Sequence, residues 1–181
     1  MQRATRDTLY FETGADNEPT LHVKSGETFE VDTQLNRGPW LDAHPDGARL
    51  KALLRGGNPS SGCVYVDGAK PGDAVRVRIG PIRVDPIGFT RYSGNTGAMP
   101  GWLGPSGVGP AERVVQIDDR HIHWGDGRTL PLRPMVGFVG VAPAVERFHN
   151  GWGGNWGGNF DVQEITTGAT VVLPVNVAGA L

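Results

Sequence analysis

Residues 57–80 read GNPSSGCVYVDGAKPGDAVRVRIG, and their pattern decides the fold class. Val64 and Val66 alternate with Tyr65, as in a short strand whose side chains point to opposite faces. Pro71-Gly72-Asp73 is turn chemistry, with proline fixing φ and glycine taking a left-handed position. Beyond the turn, Val75, Val77 and Ile79 face one way and Arg76 and Arg78 the other, the signature of a half-buried strand. Upstream, residues 20–35 (TLHVKSGETFEVDTQL) alternate in the same manner around Ser25-Gly26, predicting two strands joined by a tight turn. Trp40 to Arg55 holds the one helical candidate, with Leu50, Leu53 and Leu54 at helical spacing. Downstream, seven glycines and three prolines between Gly88 and Pro110 predict a long loop. Val114–Ile117 and His121–Trp124, separated by Asp118-Asp119, predict a hairpin. Residues 134–144 (PMVGFVGVAPA) predict a buried strand and a tight turn. The tail, TTGATVVLPVNVAGAL, is apolar to its last residue, as in a terminal strand docked into a sheet or a chain that stops in mid-core.

The expectation is a mainly β protein, sandwich-like or barrel-like, with long Gly/Pro-rich loops and at most one or two short helices. Its 181 residues fit a single domain spanning 1–181 and suffice to bury a core. The 28 glycines are about twice the usual share and, with 14 prolines, disfavour helices. They alternate with β-prone segments, which argues against low-complexity disorder. A net charge of −2 with no basic stripe excludes a nucleic-acid binder. No apolar stretch approaches the ~20 residues that span a bilayer, so no membrane role is expected. The polar N-terminus does not read as a secretory signal. The single cysteine, Cys63, forms no internal disulfide and suits a reducing cytoplasm.

The stretch 149–161 (HNGWGGNWGGNFD) concentrates groups capable of chemistry. Gly153-Gly154-Asn155-Trp156 is echoed by Gly157-Gly158-Asn159-Phe160, and such glycines let backbone approach a ligand or adopt left-handed conformations. His149, Asn159 and Asp161 can ligate a metal, donate to an oxyanion or act as a base. On a strand, Asn159 and Asp161 share a face. The competing reading is a glycine-rich turn in which Asp161 only bonds backbone. His121 and His123 also share a face, near Asp118, Asp119 and Asp126, and fit either a zinc pair or an exposed hairpin. His22 reads as structural, and His44, beside Pro45, is uninformative. Cys63 is either a nucleophile or a small buried residue at a strand start.

Several of these strings resemble the acetamidase/formamidase family. Asn58-Pro59-Ser60-Ser61-Gly62 with Val64 to Asp73 resembles "NP-x-TG-P-V-x-V-x-GAEPGD". Pro134-Met135-Val136-Gly137 with Gly140-Val141-Ala142-Pro143 resembles "PMIG-x-x-GVAP", and Gly157 to Asp161 resembles "GGN-x-D". Leu173-Pro174-Val175 with Gly179-Ala180-Leu181 resembles "LPV-x-V-x-GAL", and Val23 to Thr28 resembles an early "V-x-SGDT" turn. Cys63 stands where the family pattern has proline and Lys70 where it has glutamate, and the Gly-Gly-Asn-Trp duplication resembles an insertion. Family members are longer and continue into "GD-x-HA-x-QGDGE", which nothing in this chain matches.

The resemblance implies hydrolysis of short aliphatic amides, of the formamide or acetamide type, to carboxylate and ammonia. It also implies a divalent metal, zinc or calcium. Asp161 is then the metal ligand or general base, and Asn159 orients substrate or stabilises the oxyanion. Gly157, Gly158 and His149 are the substrate-binding candidates, His149 from outside the matched string. The glycine-rich segment is a candidate cover for the substrate. The absent segment implies a second polypeptide supplying the remaining residues, as a separate subunit or a cleavage product, and an oligomer. The alternatives are a non-catalytic β-rich binding scaffold, or a complete small enzyme using Cys63 or the His121/His123 pair.

Overall fold

A computed structural model describes residues 1–92 and 111–181. The chain is mainly β, and among the described residues its strands form small separate sheets, none closed into a barrel. It divides into two compact units: residues 1–36, 52–83 and 134–181, and residues 37–51 and 84–133.

In the first unit, β1 (Gln2–Ala4) pairs with β4 (Phe29–Val31), and β3 (Leu21–Val23) with β5 (Val64–Val66), both parallel. The tight turn at Ser25-Gly26 is present, with Glu27 N–H bonded to Lys24 O at 3.0 Å and Gly26 at φ +86. Its two flanking strands do not pair with each other, contrary to the expectation of neighbouring strands returning on themselves. Leu21 and Val23 are buried beside β5, while the chain leaves the turn through exposed Lys24–Thr28 to reach β1. Burial against distant partners outweighs the local turn signal.

The strand read from Val75 to Ile79 is borne out as β6 (Ala74–Arg78), which pairs antiparallel with β15 (Thr170–Pro174). Val75 opposes Leu173 and Val77 opposes Val171 on the inner face, while Arg76 and Arg78 point outward. Val141, Leu173, Val175 and Ala180 form the buried cluster beneath them, with Val75, Val139, Trp156 and Val171 packed around it. The apolar tail is therefore docked. Ala180 bridges Tyr65, and Gly179 O accepts Val66 N–H at 2.9 Å. This unit also holds β2 (Glu12–Thr13), β11 (Phe138–Gly140), β12 (Phe148–His149), β13 (Gly153–Gly154) and β14 (Gly157–Asn159).

The second unit contains a four-stranded antiparallel sheet in the order β10 (Arg128–Pro131), β9 (His121–Gly125), β8 (Ala111–Ile117), β7 (Ile87–Tyr92). The hairpin read between Val114 and Trp124 is β8–β9. Asp126 and Gly127, at φ +53 and +73, join β9 to β10 in the conformation that matches the strand twist. The start of the glycine-rich stretch, Gly88 to Tyr92, is strand rather than loop, because β7 pairs with β8 as far as Tyr92 opposite Ala111. The rest of that expected cover, residues 93–110, lies outside the described residues. The helical segment is two pieces, α1 (Trp40–Ala43) and α2 (Gly47–Leu53). Pro45 excludes helical geometry at His44, which is extended at ψ 136 and stops the first helix. Trp40, Leu41 and Leu50 are buried.

Candidate functional site

The glycine-rich strand β14 runs between β11 and β13, with Phe138 opposite Asn159 and Gly140 opposite Gly157. Gly157 and Gly158 sit at φ +88 and +107, which L side chains rarely adopt. A Cβ on Gly157 would lie 2.5 Å from Val139 O, and one on Gly158 would lie 2.4 Å from Trp152 O. Both glycines are buried, and the space beside each α-carbon is filled by neighbouring protein.

The strand ends at Asn159. The next two amides, of Phe160 and Asp161, both donate to Gly137 O, at 2.8 and 3.1 Å. Asp161 is left-handed at φ +49, so strand alternation is not what brings it onto the face of Asn159. The tight turn does so, and Asn159 Nδ2 donates to Asp161 Oδ2 at 2.9 Å. Asp161 Oδ1 lies 2.7 Å from where a Gly137 Cβ would be, so only glycine at 137 leaves the carboxylate this position.

The line continues away from the surface. Asn58 Nδ2 donates to Asn159 Oδ1 at 3.2 Å and also to Asn150 O. Asn150 is only 1% exposed and fully bonded: its Nδ2 donates to Tyr10 O at 3.0 Å and Ser60 Oγ at 3.1 Å, and its Oδ1 accepts from Thr13 Oγ1 at 2.9 Å. A buried amide with every bond made holds its surroundings in one arrangement. Asp161 is exposed at the outer end of this line and Asn159 half-buried behind it. Asn58, Asn150 and Gly137 were not singled out as site residues from sequence. Asn58 and Gly137 stood inside quoted strings and Asn150 beside His149, but residue spacing carries no signal that they meet.

The other candidates are dispersed. His149 is exposed on β12, its Nδ1 accepts Gly151 N–H at 3.0 Å, and its ring lies 3.9 Å from where a Gly57 Cβ would be, near the Asn58 end of the line. On the second unit, Asp118 accepts from Arg120 N–H at 2.8 Å, the His123 ring at 2.7 Å and His121 N–H at 2.7 Å. These bonds hold its carboxyl down at about 2, the Arg120 amide contributing most. The two histidines thus flank a hairpin-capping carboxylate. His22 stacks on Tyr65 at 4.8 Å, and His44 Nδ1 accepts Asp46 N–H at 3.0 Å, both structural uses.

Cys63 is half-buried and left-handed at φ +55. Burial, reinforced by the charge of Glu18, pushes its thiol up to about 11. At neutral pH it is a thiol, not a nucleophilic thiolate. Its alkylation by iodoacetamide is expected to run about a hundred-fold below that of a free cysteine at pH 7.5 and to keep rising past pH 10. A rate that levels off below pH 9 would contradict this assignment.

The described residues contain no group of three or more His, Cys, Asp or Glu that could hold a metal. Zinc takes three or four N, S or O ligands and calcium six to eight oxygens. One carboxylate among amides does not fit either ion unaided.

No protein-family model matches the chain, and no curated protein does. Solved structures do. Acetamidase from Bacillus halodurans is 32% identical with a TM-score of 0.81, over 99% of this chain and 59% of that one. A predicted acetamidase/formamidase from Thermoanaerobacter tengcongensis is 32% identical at TM-score 0.84, over 99% of this chain and 58% of that one. The chain is an N-terminal-type portion of the acetamidase/formamidase family. Acetamidase from Yersinia enterocolitica agrees, at 26% identity and TM-score 0.76 over 99% of this chain and 57% of that one. This chain therefore spans less than three-fifths of the length of its acetamidase relatives. Within this family portion, four of the five strings read from sequence come together. The Asn58 string reaches β14 through Asn159, Gly137 cradles Asp161, and Leu173 packs against Gly157.

Proposed function

We propose that this chain is part of an amide hydrolase that cleaves short aliphatic amides, of the formamide or acetamide type, to carboxylate and ammonia. The observation that carries the reading is the hydrogen-bonded line Asn58–Asn159–Asp161, which presents one exposed carboxylate at the surface of an acetamidase-type fold. Asp161 acts as the general base. It takes a proton from water as the water oxygen attacks the amide carbon, then returns it to the departing nitrogen. Asn159 Nδ2 has a second hydrogen beyond the one given to Asp161, available to the developing oxyanion. Gly157, Gly158 and His149 belong to the same proposal, the two buried glycines by giving β14 the backbone path that sets Asn159 behind the substrate and the exposed His149 as a substrate-binding side chain.

The remaining residues come from a second polypeptide rich in histidine and carboxylates, in an oligomeric, cytoplasmic assembly. A divalent metal, zinc or calcium, would belong to that assembly, with Asp161 the ligand offered from the described residues. No helix among the described residues is long and apolar enough to cross a membrane. The second reading, a non-catalytic binding scaffold, is favoured by the lack of a three-residue ligand group among the described residues.

Native and denaturing mass spectrometry of protein expressed from its natural locus, followed by an ammonia-release assay on formamide and acetamide, separates the two. A companion polypeptide with turnover is the expected result. A lone 19.3 kDa species or its homo-oligomer, without turnover, would establish the scaffold instead.

A further inference from the structure

The hydrogen-bond line has a direction that its atoms determine. Asn150 O is a backbone carbonyl and can only accept, so the Asn58 group facing it is Nδ2. The same Nδ2 faces Asn159, so the Asn159 atom opposite it is the acceptor Oδ1. The amide of Asn159 is thereby left with Nδ2 toward Asp161, where it meets Oδ2. A carboxylate oxygen can only accept as well, so donation runs outward from Asn58 Nδ2, to the Asn150 carbonyl on one side and through the Asn159 amide to the Asp161 carboxylate on the other. Asn58 holds its place at φ +49, a conformation asparagine tolerates better than most residues.

We propose that Asn58 is a positioning residue that acts through Asn159 to commit Asp161 Oδ2 and leave Oδ1, over Gly137, as the oxygen that does chemistry. This rests on the amidase reading for the role of Asp161, whereas the orientation itself does not.

The test is nuclear magnetic resonance on the 15N-labelled chain, with Asn58→Asp and Asn58→Gly. In the unaltered chain the Asn159 Nδ2 protons are expected to show a nuclear Overhauser contact to the Asp161 Hβ protons. In Asn58→Asp an acceptor replaces the donor, so the Asn159 amide turns over and the contact is lost. Asn58→Gly accommodates the left-handed backbone and removes only the amide. Solvent exchange of the Asn159 side-chain protons should then accelerate at least ten-fold while the Tyr10 and Ser60 backbone amides keep their shifts. If Asn58→Asp does not fold, Asn58→Gly decides alone. Persistence of the Asp161 contact and of slow exchange in the folded variants would overturn the proposal. Because the readout needs no turnover, an inactive assembly with an intact line would count against the amidase reading only.

Discussion

Gly158→Ala is expected to destabilise the chain by about 3–5 kcal/mol, from backbone strain and a contact that cannot be relieved locally. The atom in the way is Trp152 O, 2.4 Å from the new Cβ, with Gly153 Cα at 3.0 Å. Both are backbone, so no rotamer change makes room and β13 must separate from β14. For a chain of this size, the corresponding fall in Tm is roughly 10 °C. Gly26→Ala is the control. It shares the positive φ, at +86, but a Cβ there meets nothing within 4 Å, so only the conformational cost remains, about 1 kcal/mol. Thermal melts of the two variants separate strain from collision. Equal shifts for both would show that the close approach at Gly158 is not what demands glycine.

Asp161→Asn is expected to lower kcat of the assembled hydrolase on a short amide about 10²–10⁴-fold, the range for loss of a general base. The substitution keeps the side-chain shape and a residue type that tolerates φ +49, so folding should be preserved and Tm should move by no more than about 2 °C. What disappears is the charge able to hold a proton. Activity within three-fold of the unaltered enzyme would remove Asp161 from the chemistry. Loss of activity with a collapsed Tm would instead assign the carboxylate to the turn on Gly137 O.

Where structure follows from nearest neighbours along the chain, it was legible in the sequence. The two faces of β6 show in the alternation from Val75 to Ile79, and the β8–β9 hairpin in two β-prone runs around Asp118-Asp119. Partner choice was not legible in the same way. The turn at Ser25-Gly26 carries ordinary hairpin chemistry, yet Leu21 and Val23 gain their burial against β5, and period-2 alternation says nothing of which strand lies alongside. Leu50 and Leu53 do lie on a helix, whereas Leu54 falls just past its end and Pro45 divides the segment. At the site, Asn159 and Asp161 stood out by their glycine setting and family resemblance. Asn58 lies 101 residues from Asn159, and nothing in the chain between them encodes that the two side chains meet.

That separation bears on how the protein is made. Thr13 bonds Asn150 across 137 residues, and β2 has no strand partner until β12 exists. At ~5–20 residues per second, a ribosome takes roughly 7–30 s to deliver that partner. The β8–β9 hairpin, by contrast, closes as soon as its few turn residues emerge. Nascent chains thus carry the unpaired edge of β2 until β12 has emerged, and such edges are templates for association with other chains. Yield in the cell should respond to chaperone supply and growth temperature more than the small size of the protein would imply.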